Sequence, residues 1–212
     1  MECPLTTSYR LRQAALFDLP AIYRICLVTA DSGGDATGIE DDPDAPGHIY
    51  AGPYVALEPE HCVVIDGDDG VAGFCVGALD TVAFYHRMER DWLPALRART
   101  RHPGDDPALW RGSDARRWQV HQRRTESAAL LERYPSHVHI NLLPEARGGG
   151  WGRRALEGVM QRLAASGSPG MHLGVARINL KARAFYKAVG LEELPGQGET
   201  SEGVIMVRRF LP

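Results

Sequence analysis

The sequence predicts an α/β (α+β) chain built on a central sheet of about seven strands flanked by helices. Short apolar or alternating runs recur between turn residues, segments of helical periodicity separate several of them, and one long helical stretch interrupts the series between the third and fourth runs.

Tyr9 to Gln13 alternates polar and apolar residues and reads as the first strand. Asp18 then caps a helix that tolerates Pro20 in its first turn and puts Leu19, Ile22, Ile25 and Cys26 on one face. Asp31 to Gly47 is a loop dense in Gly, Asp and Pro, followed by a short helical piece around Tyr50 to Leu57. His61 to Ile65 and Val71 to Leu79 are apolar runs joined by Asp66-Gly67-Asp68-Asp69-Gly70, a hairpin signal because Asp and Gly accept positive φ cheaply. From Ala83 to Tyr134 apolar residues recur at helical spacing, Pro94, Pro103 and Pro107 punctuate, and three of the four tryptophans gather, which predicts a helical insertion. Strand pattern resumes at Ser136 to Leu143. A glycine turn leads into a helix over Trp151 to Ala165, with a stripe of Trp151, Ala155, Leu156, Val159, Met160 and Leu163. A strand at Met171 to Val175, a helix from Asn179 ended by Gly190, and strands near Leu191 to Leu194 and Gly203 to Arg209 complete the pattern.

With 212 residues, 44% hydrophobic and 24% charged, residues 1–212 are expected to form a single domain. The most apolar N-terminal piece, Gln13 to Ala30, is broken by Asp18, Pro20 and Arg24, short of the roughly 20 apolar residues a membrane span needs. Neither a membrane partner nor a signal peptide is expected, and the cytoplasm follows as the compartment. Cys3, Cys26, Cys62 and Cys75 show no C-x-x-C spacing; three read as small buried apolar residues and Cys3 as terminal. A net charge of −3 argues against a nucleic-acid partner. The charges are uneven, however. Asp31, Asp35, Glu40, Asp41, Asp42 and Asp44 share a stretch without Lys or Arg, whereas His86 to Arg124 is rich in Arg. Both read first as solvated surface; the sharper reading has the acidic stretch border a site for a cationic acceptor, with Asp31 and Asp35 as its binding residues.

The chemistry concentrates between Val138 and Leu156, where a strand, a tight glycine turn and a helix start follow one another. Such a turn lets consecutive amides point into one concavity at a helix N-terminus, which attracts phosphate. No Gly-Lys-Ser/Thr follows, so this is not a Walker loop, and the spacing is not that of a dinucleotide fingerprint. It fits R-x-x-G-x-G as Arg147, Gly150 and Gly152. A second segment, Asn179-Leu-Lys-Ala-Arg-Ala-Phe-Tyr-Lys-Ala-Val-Gly-Leu191, follows after one helix and one strand.

These two segments, in this order, resemble the GNAT superfamily of acetyltransferases, whose second motif reads N-x-x-A-x-x-F-Y-x-x-x-G-F; Leu191 stands in place of the usual Phe. The resemblance implies the GNAT fold, with a mixed, mostly antiparallel sheet, and acetyl-CoA as acetyl donor. It implies that amides from Gly148 through Gly149, Gly150, Trp151, Gly152 and Arg153, with Arg147, hold the pyrophosphate. The edge of Leu142 and Leu143 would pair with the pantetheine arm, and Asn179, Ala182, Phe185 and Tyr186 would complete the cofactor site. Tyr186 matches the family's tyrosine near the sulfur. A phenol of pKa about 10 can protonate a thiolate whose parent thiol lies near 8.5. The backbone amide of Leu142 is the candidate oxyanion donor.

The base is less defined. Period-two geometry puts Val138, Ile140 and Leu142 on one face of the strand and His137, His139 and Asn141 on the other. A neutral imidazole at His139 suits an amine near pH 7. His137-x-His139 lacks a third ligand, so no metal is expected.

The rest of the chain resembles something narrower, the acetyltransferase-like C-terminal domain of O-GlcNAcase and its free-standing bacterial relatives. The similar stretches are Ala21-Ile-Tyr-Arg-Ile-Cys26, Gly70 to Asp80, Asp91-Trp-Leu-Pro94 and Tyr134-Pro-Ser136. In the eukaryotic domain the glycine motif is lost, whereas here Arg147 to Gly152 is intact, which implies real cofactor binding. That domain also has an acid where this chain has Asn141, a further candidate acceptor-site residue.

Three readings stay open: an N-acetyltransferase acting on a small-molecule or peptide amine, an acetyl-CoA-binding recognition module without turnover, and a nucleic-acid binder using the Arg-rich insertion. Tyr186 favours the first. A homodimer is neither required nor excluded by the sequence.

Overall fold

The structure, a computed structural model, describes residues 8–123, 125–196 and 203–210. Cys3 and Arg124 of the readings above lie outside the described residues. The elements, in order, are β1 (Tyr9–Gln13), α1 (Leu19–Leu27), α2 (Ala45–Tyr50), α3 (Gly52–Leu57), β2 (Cys62–Gly67) and β3 (Gly70–Ala78). The insertion follows, as α4 (Thr81–Arg87), a π-helical turn over Met88–Trp92, α5 (Leu93–Arg97), α6 (Asp114–His121) and α7 (Ala128–Arg133). Then come β4 (Ser136–Leu142), α8 (Trp151–Ala165), β5 (Gly170–Ala176), α9 (Leu180–Ala188), β6 (Glu192–Glu193) and β7 (Gly203–Arg209).

The seven strands form one sheet in the order β1-β2-β3-β4-β5-β7-β6. Every neighbouring pair is antiparallel except β4 and β5, which the crossover helix α8 makes parallel. That pair meets only at Ser136 opposite Met171 and His137 opposite His172. On its other side β4 stays paired with β3 as far as Leu142 opposite Gly73. The two parallel strands therefore diverge after two residues, and the gap between them becomes the site.

Apolar side chains pack on both faces. α8 covers one with Ala155, Leu156, Val159 and Leu163 against Cys75, Val138 and Leu173. α1, α2, α3 and the insertion cover the other with Ile22, Ile25, Ile49 and Phe84 against Val64, Phe74 and Val76. Covering on both sides explains why β3 is an almost unbroken apolar run, buried from Val71 to Ala78.

Four local readings need correction. The Asp18 carboxylate makes no cap bond to α1; it takes two hydrogen bonds from the Arg12 guanidinium, at 2.8 and 2.7 Å, and one from the Ala15 amide. Buried beside β1, it gains more from a charged fork than from one amide. The helical piece around Tyr50 to Leu57 is two helices that begin at Ala45, because the chain breaks at Ala51 with φ −144°. The hairpin turn is only Asp68-Asp69, since the strands run in to Gly67 and Gly70, and the positive φ of 101° falls on Gly70. The insertion starts at Thr81, where Asp80 accepts the Ala83 amide at 2.8 Å and caps α4. Among the described residues no helix is long and apolar enough to cross a membrane.

Candidate active site

β4 ends at Leu142, and a 3-10 turn over Pro144–Ala146 carries the chain to Arg147 and the glycines. Gly148 and Gly150 hold φ of 83° and 78°, a left-handed conformation that side chains resist. Gly150 is also the N-cap of the fifteen-residue α8, whose first helical bond runs from the Arg154 amide to the Gly150 carbonyl at 3.1 Å. The amides of Trp151, Gly152 and Arg153 thus have no acceptor within the helix. A Cβ on Gly152 would sit 3.5 Å from Leu142 Cδ2 and Phe185 Cζ, ordinary contact within the protein. The missing side chain keeps space open at the helix end rather than relieving a clash.

A cleft of about 790 Å³ runs from this loop through the β4/β5 gap. It is lined at the loop by Arg147, Gly148, Gly150, Gly152 and Arg153, in the gap by Ile140, Leu142, Gly174, Val175 and Ala176, and along α9 by Asn179, Ala182, Phe185 and Tyr186. Gly149 and Trp151 are not among the lining residues. Trp151 turns the other way, edge-on to Tyr9 at 5.8 Å and under Arg154, and packs on the α8-side core.

The Leu143 amide donates to the Ala72 carbonyl at 2.8 Å, so alternation turns the amides of Ile140 and Leu142 away from β3, toward the gap. The exposed edge is therefore Ile140 and Leu142; Leu143, expected to share it, is buried with its amide engaged. The Leu142 carbonyl is held by Arg147 from Nε at 3.0 Å and Nη2 at 2.7 Å, and Nη2 also reaches the Gly33 carbonyl at 3.0 Å. Asn179 caps α9, accepting the Ala182 amide at 3.0 Å, and donates from Nδ2 to the Ser32 carbonyl at 2.9 Å. Arg147 and Asn179 together hold the turn after α1 beside the cleft.

Tyr186 is 9% exposed and reaches the cleft with Phe185, its ring centroid 5.4 Å away. Burial above all, and Cys75 secondarily, push its pKa well above the usual phenol value, so the group stays protonated. Burial likewise keeps the Cys26 thiol, also in the wall, protonated and unreactive.

On the opposite face of β4 the cleft is walled by Cys26, Thr29 and Ala30, by Pro46 and Tyr50 from α2, by Arg116 from α6, and by His139 and Asn141. His139 stacks on Tyr50 with centroids 5.0 Å apart and 12° between planes. Asn141 donates from Nδ2 to Thr29 Oγ1 at 2.6 Å, while its Oδ1 is buried with no partner. Tyr50, Arg116 and Thr29 carry no local motif, since α2 and the insertion reach the strand only through tertiary packing.

Asp31 and Asp35 do not line the cleft. Asp31 forms a backbone bridge with Gly34, and the Asp35 carboxylate turns onto Thr37, accepting its amide at 2.8 Å and its hydroxyl at 2.6 Å. Nor are the acidic stretch and the Arg-rich insertion two solvated surfaces, because they pair with each other. Arg117 meets Asp41 at 2.9 Å, Arg116 approaches Glu40 at 3.4 Å, and the Ser113 amide donates to Asp41 at 2.7 Å. These pairs tie the acidic loop to α6, which carries Arg116 into the cleft wall.

The chain matches the profile of the Acetyltransferase (GNAT) family over residues 105–191. The solved structure of SsHAT superposes with a TM-score of 0.85 at 31% identity, covering 95% of this chain and 98% of that one. The Protein O-GlcNAcase of Rattus norvegicus is 21% identical over 211 residues, 98% of this chain; the chain spans 23% of the length of that curated relative. A GNAT superfamily phosphinothricin acetyltransferase from Sinorhizobium meliloti, solved in complex with acetyl-CoA, superposes at 0.54 with 21% identity, covering 97% of this chain and 89% of that one.

Proposed function

Given that the chain belongs to the GNAT acetyltransferases, we propose that residues 1–212 act as one acetyl-CoA-dependent N-acetyltransferase unit, moving an acetyl group to an amine by direct attack in a ternary complex. One observation carries this reading. A glycine-lined helix N-terminus and a buried phenol share a single cleft, joined by a strand edge that has lost its parallel neighbour. The residues present fit the cofactor. The amides at the start of α8 and the open space at Gly152 suit a pyrophosphate, and the freed Ile140 and Leu142 edge suits an amide-bearing arm.

Acetyl-CoA supplies an activated acyl group as its thioester. In the proposed reaction the neutral amine forms the new N–C bond as the C–S bond breaks, and the amine proton leaves to a base. The Leu142 amide, turned into the gap, donates to the oxyanion. Tyr186, kept protonated by burial, gives its proton to the departing sulfur. His139 takes the amine proton, directly or through water; among the described lining residues there is no Asp or Glu to do so. That lack of a carboxylate also favours the second reading, a module that binds acetyl-CoA without turning it over.

Two measurements separate these readings. Calorimetric titration with acetyl-CoA is expected to saturate at one site, and free thiol is expected to accumulate only when an amine acceptor is present. Saturable binding with no thiol release across amines leaves the recognition module; no binding removes both.

A further inference from the structure

Resting on the transferase reading above, we propose that the acceptor is an amine that also carries a carboxylate, an amino acid or a compound of that kind, whose carboxylate is gripped by Arg116. The charged residues among the described lining of the cleft are Arg116, Arg147 and Arg153, and no Asp or Glu is among those lining residues. Arg147 and Arg153 belong to the glycine loop. Arg116 stands alone at the other end, brought there by α6, with a side chain 21% exposed.

Its partners leave it able to take an anion. Nη1 donates to the Tyr50 hydroxyl at 3.1 Å, and the guanidinium carbon lies 5.2 Å from the centre of the Tyr50 ring. Glu40, buried behind it, approaches Nε at 3.4 Å in a geometry too open for a hydrogen bond. Nε and one Glu40 oxygen are both left unbonded. Nε is buried, so the donors left for a planar carboxylate are those of the two Nη nitrogens, held in place by an aromatic ring and an imperfect ion pair; a guanidinium recognises a carboxylate as a fork and an ammonium does not.

Where the amine end goes is set by Asn141. The Thr29 hydroxyl spends its proton on the Ile25 carbonyl at 2.6 Å, so toward Asn141 it can only accept. That turns Nδ2 to Thr29 at 2.6 Å and leaves Oδ1 as a buried acceptor without a donor. An unmet buried acceptor of this kind is destabilising, and an incoming N–H would relieve it. Asn141 and His139 share one face of β4, and His139 and Arg116 both contact the Tyr50 ring, so the carboxylate and amine positions belong to one short row of side chains.

The test compares L-amino acids, β-alanine and γ-aminobutyrate with their carboxamides, and with spermidine as a purely cationic amine. Thiol release and, separately, calorimetric binding in the presence of coenzyme A are both read. The wild type is expected to favour the free acid over its amide by about tenfold to a hundredfold in kcat/KM. Arg116→Gln is expected to abolish that preference while keeping its affinity for acetyl-CoA. Arg116→Lys should recover part of the preference, which a merely structural role would not allow. Equal use of acid and amide, a preference for spermidine, or an unchanged preference in Arg116→Gln overturns the proposal. If no amine is turned over while acetyl-CoA still binds, the transferase reading has failed, and the calorimetric comparison of acid with amide decides this one by itself.

Discussion

Asn179 joins helix α9 to the turn after α1: its Oδ1 accepts the Ala182 amide and its Nδ2 donates to the Ser32 carbonyl 147 residues away in sequence. Ser32 holds a φ of 49°, unusual for a side-chain-bearing residue, and the next carbonyl, Gly33, is gripped by Arg147. The turn is thus held at both sides of the cleft. Asn179→Ala should cost about 1 kcal/mol of stability through the lost cap. Asn179→Ser keeps a capping oxygen and loses the donor that reaches Ser32. It should therefore melt like the wild type yet release acetyl-CoA faster in stopped-flow exchange; equal release rates would show that the tie plays no part in holding the cofactor.

Tyr186→Phe removes one proton donor and leaves the packing. Turnover should fall by about 10²- to 10⁴-fold, with acetyl-CoA affinity within about twofold of wild type. The pH dependence carries a sign. Burial raises the folded pKa above the ordinary phenol value of about 10, so any stability linked to this group is complete below about pH 10 and is lost as pH rises beyond it toward the folded pKa. Neither stability nor kcat should fall on account of Tyr186 below pH 10. A wild-type rate that declines between pH 8 and 9.5, with no such decline in Tyr186→Phe, would show that the phenol titrates there and overturn its raised pKa; wild-type turnover in Tyr186→Phe would remove the phenol from the acid role.

What was legible in the sequence was whatever local chemistry dictates. The α8 stripe from Trp151 to Ala165 and the place of the insertion follow from periodicity and turn residues, and the structure reproduces them nearly residue for residue. The GNAT fold followed from the two motifs. The acceptor side was not legible, because Tyr50, Arg116 and Thr29 meet His139 and Asn141 only after α1, α2 and α6 pack on one face of β4. The acidic loop misled for the same reason. Glu40 and Asp41 look unpaired in sequence, and their partners lie some seventy-odd positions later, at Arg116 and Arg117.

The glycines of the loop should separate backbone strain from ligand clearance. Gly150→Ala places a Cβ on a residue at φ 78° and should destabilise by about 1–2 kcal/mol, with weaker cofactor binding as a consequence. Gly152 lies inside helical geometry with only ordinary contacts nearby, so Gly152→Val should fold with nearly wild-type stability and still lose most acetyl-CoA affinity. Chemical denaturation paired with calorimetry reads both quantities. A Gly152→Val protein that binds acetyl-CoA normally would mean that the pyrophosphate does not approach this helix end.

The contact between the acidic loop and the insertion should fail in acid before the core does. The Ser113 amide, and after it the Arg117 guanidinium, lower the Asp41 carboxyl to about 2. For a depressed carboxylate, the linked stability is complete above its ordinary value of about 4 and disappears as pH falls through about 2. Asp41 is largely solvent-facing, so the effect should be local and should weaken in high salt. The tilted pair Trp110 and Trp118, ring centroids 5.6 Å apart on the same insertion, offers a nearby signal. Near-ultraviolet dichroism from that pair should change between pH 4 and 2 while far-ultraviolet dichroism holds, and Asp41→Asn should already show the altered signal at pH 7. Because α6 also carries Arg116, the same loosening should raise KM for the acceptor and spare acetyl-CoA affinity; a variant that loses both together would place Asp41 in support of the whole cleft rather than of its acceptor end.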